Sequence, residues 1–131
     1  MEKEGYVSLW IGNIKSDRAL SEYVELIYTD DGDCVPSLFL QDFNIDIDDF
    51  DEDFIERICT DKQANSITGL ISGCSYEDVV IPKFEKLSSI VMPSRINAGI
   101  LLYNFQYDGS IRDINKNGYE FKFVGSVEYV K

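Results

Sequence analysis

The stretch of the sequence with the most obvious chemical potential is Asp42 to Glu56, DFNIDIDDFDEDFIE, in which eight of fifteen residues are acidic and none is basic. Carboxylates at this density could act as a general acid and base pair, hold a cation, or form a negative surface. Like charges repel at short distances, so such a run costs stability. The concentration of charge therefore calls for a functional explanation.

The sequence contains no histidine, which limits the catalytic mechanisms that this protein could use. Without imidazole, Ser-His-Asp and Cys-His catalysis and histidine-containing zinc sites are excluded. Cys34, Cys59 and Cys74 lack CxxC spacing and fit the reduced, buried thiols of a cytoplasmic protein. A glycosidase-type carboxylate pair is conceivable, but any pair chosen from so many acids would be arbitrary. We therefore expect no catalytic residues and no cofactor, and a protein that is not an enzyme.

Two segments could bind a hard cation through oxygen ligands. DINKNGYE, residues 113–120, begins like a calcium-binding loop, yet the twelfth position of that loop is Val124 rather than a bidentate glutamate. Because Asn117-Gly118 is also typical of a hairpin, a turn is the favoured interpretation. The acids at positions 30, 31 and 33 match no defensible ligand spacing, so we predict no metal site.

The charge of the chain is unevenly distributed. The 131 residues carry a formal net charge of −12, with 16 acids and 3 bases in residues 1–56 against 8 acids and 9 bases in residues 57–131. Such a chain repels phosphates, which argues against nucleic acid as a partner. No apolar run is long enough to span a membrane, and the N-terminus lacks the apolar core of a signal peptide, so we expect a cytoplasmic protein without a membrane partner.

A negative surface that docks on a basic protein is the functional interpretation of the acidic run, and a solvated face that only keeps the protein soluble is the alternative. Opposite potentials speed encounter between proteins, and carboxylates can occupy the phosphate positions of a nucleic-acid-binding site. Phe50 could serve as an apolar anchor. The residues predicted to face the partner are Asp30, Asp31, Asp33, Asp46, Asp48, Asp49, Phe50, Asp51, Glu52 and Asp53.

The elements that must position these residues follow from the spacing of apolar side chains. YVSLWIG alternates, with Val7, Leu9 and Ile11 on one side, and predicts the first strand. Ser16 as N-cap and apolar residues at helical spacing predict a helix over 17–28, which the loop TDDGDCVPS follows. SLFLQDF favours a short helix, and residues 54–60 favour a strand.

The second half of the sequence predicts further helices and strands. ANSITGLISG is typical of a short helix closed by Gly73. SYEDVVIPKFEKL predicts a helix capped by Ser75, in which Pro82 causes a kink or a late start. AGILLYNFQYDG is typical of a central strand, and the Asp108-Gly109 and Asn117-Gly118 turns predict a meander of three antiparallel strands over residues 99–131.

No linker or internal repeat divides residues 1–131, so we expect one α+β domain. The predicted architecture is a mainly antiparallel sheet of four to five strands, with two or three helices packed on one face.

Several of these stretches, taken in order, resemble the immunity protein 22 family of bacterial polymorphic-toxin systems. They are YVSLWIGN before a capped helix, DDGDCVPSLFLQDF, DEDFIE, the SY that opens a later helix, and ILLYNFQY, and they cover about residues 5–107. The resemblance implies a small α+β cytoplasmic protein that neutralises a cognate toxin domain, often a nuclease, without catalytic residues. SSIVMPSRINAG, residues 88–99, departs from the family, in which the helix leads more directly into the LLYNF strand.

The leading hypothesis is an immunity protein that binds a basic toxin and occludes it stoichiometrically. The first alternative is a regulatory or interaction domain with another partner. The second alternative is a carboxylate-based or metal-dependent hydrolase, which predicts a concave pocket that holds two or more carboxylates with raised pKa values.

Overall fold

The computed structural model of the chain describes residues 2–47, 52–64, 67–74, 76–87, 96–116 and 118–129. Within these ranges the chain forms, in order, β1 (Glu2–Ile14), α1 (Asp17–Val24), β2 (Ile27–Tyr28), β3 (Cys34–Val35), α2 (Leu38–Asp42), a 3-10 helix (Glu52–Phe54), β4 (Ile55–Ala64), α3 (Ile67–Ile71), α4 (Glu77–Glu85), β5 (Ile96–Phe105), β6 (Asp113–Lys116) and β7 (Tyr119–Glu128). None of the helices in these ranges has the length and apolar character needed to cross a membrane.

Five of the described strands form one antiparallel sheet in the order β4-β5-β1-β7-β6, while β2 and β3 form a separate two-stranded ribbon. β1 lies at the centre of the sheet, where Trp10 is opposite Ile100 of β5 and Phe123 of β7. Gly12 of β1 allows β7 to approach closely, because a side chain there would overlap the carbonyl oxygen of Glu120. The predicted α+β class and the antiparallel sheet of four to five strands are confirmed.

Helices cover both faces of this sheet, which corrects the expectation that they pack on one. Side chains alternate along β1, so Leu9 and Ile11 face a core shared with α3 and α4, whereas Trp10 and Ile14 face a core shared with α1 and α2. The sequence of β5 is apolar at successive positions because the strand is covered on both faces, and eight of its ten residues are buried. A strand that is apolar at successive positions needs cover on both sides.

The core beneath α1 and α2 is built around Trp10, whose side chain is fully buried. Its ring centroid lies 4.9 Å from that of Phe39 and 5.1 Å from that of Phe123, in edge-on and tilted arrangements that suit aromatic pairs. The hydroxyl of Tyr107 donates to the carbonyl oxygen of Phe43 at 2.8 Å. These contacts fix α2 on the sheet, and with it the start of the acidic run.

The first helix is shorter than predicted. Ser16 caps it as expected, but the helix ends at Val24 instead of residue 28, and Glu25 is extended. Residues 27–28, predicted as the end of the helix, pair with residues 34–35 of the predicted loop, so the two segments form a β-hairpin. Ile27 and Tyr28 are β-branched and aromatic, and both types suit a strand better than the end of a helix.

The order of the C-terminal strands differs from the predicted meander, although the three antiparallel strands are present. β6 and β7 form the predicted hairpin, with Lys116 opposite Tyr119. β5 and β7 instead flank β1, so Asp108-Gly109 belongs to a longer connection over residues 106–112. The turn sequence predicts a local reversal, but β1 is apolar on both faces and takes the central position between the two long strands.

The remaining local predictions are largely confirmed. α2 begins within SLFLQDF, β4 includes residues 55–60 of the strand predicted over 54–60, and α3 is followed by Gly73 with a φ of +94°. The predicted cap of α4 is wrong, because its N-cap residue is Tyr76, with a φ of +60°, while Ser75 lies outside the described residues. The helix thus begins at Glu77, one residue later than a Ser75 cap would give, and Pro82 lies inside it.

Candidate functional site

Three predicted site residues lie in the turn between β2 and β3. The backbone N–H of Thr29 donates to the Asp33 carbonyl oxygen at 2.9 Å, and the Gly32 N–H donates to Thr29 at the same distance. Gly32 has a φ of +86°, which glycine adopts without strain. Asp30, Asp31 and Asp33 are exposed, and none of their carboxylates is ion-paired within the described part of the chain. The turn therefore holds three negative charges out toward solvent.

The other predicted site residues follow α2 and lead into β4. Asp46 is exposed directly after Ile45, which is buried in the core beneath α1 and α2. Asp53 is exposed within the 3-10 helix that also contains Glu52. Asp48, Asp49, Phe50 and Asp51 lie outside the described residues. Among the described candidates, the hairpin acids and Asp46 belong to the same stretch of chain as α1 and α2, whereas Asp53 lies just before β4.

The two helical layers differ in charge. Residues 16–47, which include α1, the β2–β3 hairpin and α2, contain eight acids and one base. Residues 67–87, which include α3 and α4, contain three acids and two bases. These layers lie on opposite faces of the sheet, so the segment that covers one face carries a larger excess of acids than the segment that covers the other. We call the described part of residues 16–47 the acidic layer.

One acid of the acidic layer points inward and has a structural role. Asp42 is buried, and its Oδ2 accepts hydrogen bonds from the hydroxyls of Tyr23 at 2.9 Å and Tyr119 at 3.0 Å. The Lys116 Nζ lies 2.6 Å from its Oδ1. Burial and the neighbouring carboxylate raise the pKa of Tyr23 well above its usual value and that of Tyr119 to about 12. Both hydroxyls therefore stay protonated donors, and the cluster ties α1 and α2 to the β6–β7 hairpin.

A second feature is an aromatic pocket between the 3-10 helix, the start of α4 and the end of β5, which we call the tyrosine pocket. Its volume is about 200 Å³, and it is lined by Asp53, Phe54, Ile55, Glu56, Tyr76, Tyr103 and Tyr129. The Tyr76 ring centroid lies 4.9 Å from that of Tyr129, which lies 5.3 Å from that of Tyr103. Tyr76 is 61% exposed, although its ring takes part in this cluster.

Hydrogen bonds fix the walls of the tyrosine pocket. The Tyr103 hydroxyl donates to Glu56 Oε1 at 3.1 Å, and the Tyr129 hydroxyl donates to Asn104 Oδ1 at 2.5 Å. The same Asn104 oxygen accepts from the Gly5 N–H at 3.1 Å. Burial and the Glu56 charge raise the pKa of Tyr103 well above its usual value, so its hydroxyl remains a donor to the carboxylate.

The tyrosine pocket was not predicted from the sequence, apart from Asp53. Its rings come from three segments, at the start of α4, within β5 and after β7, and only the folded sheet brings them together. The nearby Cys74 is buried, and burial with the Glu56 charge raises the pKa of its thiol to about 11. This thiol is protonated near neutral pH, which does not favour a nucleophile. In the described ranges no three acidic or cysteine side chains are grouped to hold a metal ion.

Comparison with known proteins gives one match. A family model described as Immunity protein 22 matches residues 7–130 of the chain. No curated protein and no solved structure matches it. The family match covers almost the whole chain, including the acidic layer and every residue that lines the tyrosine pocket.

Proposed function

This chain belongs to the Immunity protein 22 family, and from that premise we propose that it neutralises its cognate toxin by stoichiometric binding through the acidic layer. An immunity protein of this kind needs no catalytic residues or cofactor, because it acts by covering the toxin. We further propose that it works in the cytoplasm, and that its toxin is a nuclease-type domain with a basic surface.

The observation that carries this proposal is the separation of charge between the two helical layers. Seven of the eight acids of the acidic layer are exposed, against one base, and three of these carboxylates project from a single turn; the eighth acid, Asp42, is buried and paired with Lys116. Exposed charges of one sign on one face produce a potential that attracts a positive partner over about 10 Å at ordinary ionic strength. The α3–α4 layer, with three acids and two bases, produces no comparable field.

A nuclease-type toxin provides the chemical complement of this surface. Its substrate site must attract phosphates, so it presents arginine and lysine side chains. Carboxylates of the hairpin, with Asp46, Asp53 and the acids at positions 48–52, can pair with those cations in place of phosphate oxygens. Neither bare nucleic acid nor an anionic membrane is the expected partner of such a surface.

The test replaces the hairpin acids without altering the fold. The triple variant Asp30→Asn, Asp31→Asn and Asp33→Asn removes three charges from exposed side chains. We expect toxin association to slow by about tenfold at low salt, and the salt dependence of the association rate to flatten, because charge steering is lost. Stopped-flow mixing with the toxin that this chain protects against in co-expression measures both effects.

A matched control removes the same charge from the opposite face. Asp113 is opposite Lys122, which is opposite Ile11, and Glu120 lies two residues from Lys122, so both acids share the sheet face of Ile11 and of the core with α3 and α4. Glu85 ends α4, at the far end of that helix from the tyrosine pocket. Glu85→Gln, Asp113→Asn and Glu120→Gln together should leave association within about twofold of the unchanged protein. Equal effects of the two triple variants would show that net charge matters and the acidic layer does not. The combined replacement of Asp48, Asp49, Asp51 and Asp53 by asparagine tests the acidic run itself, and full protection by that variant would contradict its assignment.

The hydrolase alternative has one specific observation in its favour. The tyrosine pocket is concave and contains two carboxylates, those of Asp53 and Glu56. If the pair were catalytic, Glu56→Gln would abolish turnover of a glycoside or ester substrate by the isolated protein. The immunity function instead requires protection from the toxin with no turnover of its own. A genetic neighbourhood without any toxin would favour the third possibility, an interaction domain with another partner.

A further inference from the structure

The tyrosine pocket combines one exposed aromatic ring with two rings that are more deeply buried. Tyr76 is 61% exposed and holds its ring 4.9 Å from Tyr129 and 6.1 Å from Tyr103. Tyr103 is buried to 7% exposure, and its hydroxyl is bound to Glu56, so the inner wall is rigid. The pocket therefore combines a fixed inner wall with one exposed ring that can cover a guest.

The charge of the lining selects the sign of that guest. Asp53 and Glu56 supply two carboxylates, and no lysine or arginine belongs to the described lining. Aromatic faces are negative at their centres and attract cations, most strongly where water is excluded. The chain already uses this contact elsewhere, since the Lys3 Nζ lies 4.3 Å from the Tyr6 ring centroid. An anion or a phosphate group would be repelled by the same lining.

The size of the pocket limits the guest to a single side chain. Its volume of about 200 Å³ is below the ~300–1,000 Å³ that is typical of sites for drug-sized ligands. A hard metal ion is also disfavoured, because it takes six or more oxygen ligands and most of this lining is aromatic carbon.

We propose that the tyrosine pocket is a socket for one arginine side chain of the toxin, an inference that rests on the proposed function for the source of that arginine. The planar guanidinium stacks on tyrosine faces and pairs with carboxylates through two parallel hydrogen bonds. Lysine fits this site less well, since its ammonium is strongly hydrated and has no plane to stack. Tyr103 and Tyr129 belong to the core shared with α3 and α4, so the pocket lies beyond the acidic layer, but Asp53 of the acidic run lines it beside the edge strand β4. A toxin that covers the acidic layer and follows the acidic run past this edge would gain a fixed anchor there, in addition to charge pairs on flexible side chains.

The experiment uses a blocked amino acid as a probe, so that it does not depend on having the toxin. N-acetyl-arginine methylamide is titrated into the isotopically labelled protein, and the ring-proton shifts of Tyr76, Tyr103 and Tyr129 are followed by NMR. The matched probes are the lysine analogue and the neutral citrulline analogue, which keeps the shape of arginine. We expect saturable shifts with arginine and an affinity at least ~5-fold higher than for either analogue, the range that cation–π contacts give.

Four variants test whether the arginine probe binds at this pocket. Tyr76→Ala removes the exposed ring and should weaken the arginine probe about 5-fold, whereas Tyr76→Phe keeps the ring and should stay within about twofold. Tyr28→Ala is the matched control, because Tyr28 is also 61% exposed but lies outside the pocket. Glu56→Gln removes the charge and can still accept from Tyr103, so weaker binding there shows the electrostatic part without loss of the wall.

The possible outcomes separate this inference from the proposed function. Absence of saturable ring shifts, equal affinity for citrulline or lysine, or unchanged binding by Tyr76→Ala would each overturn the arginine socket. Toxin neutralisation combined with any of these results would refute the socket and leave the immunity function standing. Saturable, arginine-selective binding that Tyr76→Ala weakens, in a protein that neutralises no toxin, would support the socket and refute the proposed source of its guest.

Discussion

Replacement of Asp42 by alanine measures how strongly the acidic layer is held on the sheet. The buried carboxylate of Asp42 accepts hydrogen bonds from the hydroxyls of Tyr23 and Tyr119 and forms an ion pair with Lys116. Its removal leaves the buried Tyr23 hydroxyl without this acceptor, which costs about 1–3 kcal/mol. Lys116 is 56% exposed and returns to water, so its lost pair adds only about 0–1 kcal/mol.

The partly exposed Tyr119 hydroxyl also regains water, so the expected total for Asp42→Ala is about 1–4 kcal/mol of unfolding free energy. That is a large fraction of the ~5–15 kcal/mol that stabilises a typical domain. Urea unfolding followed by tryptophan fluorescence is a suitable assay, since Trp10 is the single tryptophan and is fully buried.

Two controls make the Asp42 prediction specific. Asp31→Ala removes an exposed acid of the same layer and should change the unfolding free energy by less than about 0.5 kcal/mol. Tyr23→Phe removes one donor, and its effect should be less than additive with Asp42→Ala, because both remove the same hydrogen bond. A loss below about 0.5 kcal/mol for Asp42→Ala would refute the view that this cluster ties the helices to the β6–β7 hairpin.

Two further predictions concern the stability of the fold. Burial raises the pKa of the Cys74 thiol from 9.0 to about 11. The protonated thiol therefore stabilises the folded state fully below pH 9, and this stabilisation is lost as the pH rises to 11. Cys74→Ala should show a shallower fall in unfolding free energy between pH 9 and 10, and an unchanged slope would contradict this expectation. Gly12→Ala should cost about 3 kcal/mol, because its Cβ would overlap the Glu120 carbonyl oxygen and lie 2.9 Å from Phe121 Cα. In the matched variant Gly99→Ala, the added Cβ would lie 3.4 Å from its nearest neighbour, Leu70 Cδ2, and should cost less than about 1 kcal/mol in the same urea assay. If Gly12→Ala cost as little as Gly99→Ala, β1 and β7 would be able to move apart.

The elements that sequence reasoning predicted well are those fixed by local chemistry. The alternation of β1 and the β6–β7 hairpin each depend on residues close together in the chain, and each is confirmed. The apolar run of β5 also predicted a central strand correctly, but its implication for both faces was missed. A continuous apolar run requires cover on two sides, which is why α1 and α2 pack opposite α3 and α4.

The features that were missed depend on contacts between distant segments. The order β5-β1-β7 follows from pairing across the sheet, and no turn sequence reports it. Within the acidic run, spacing alone could not show that Asp42 is buried against Lys116 while Asp46 is exposed. The tyrosine pocket was missed for the same reason, since Tyr76, Tyr103 and Tyr129 look locally like separate aromatic residues of a core.

The central claim, that the acidic layer is the surface covered by the toxin, is tested most directly by amide hydrogen exchange on the free and toxin-bound protein. In the complex, we expect slower exchange across residues 27–35, which form the β2–β3 hairpin and its three exposed carboxylates. The exchange of residues 80–85 in α4, which lie on the opposite face of the sheet, serves as the internal reference and should not change. Unchanged exchange over 27–35, together with protection elsewhere on the sheet, would contradict the account.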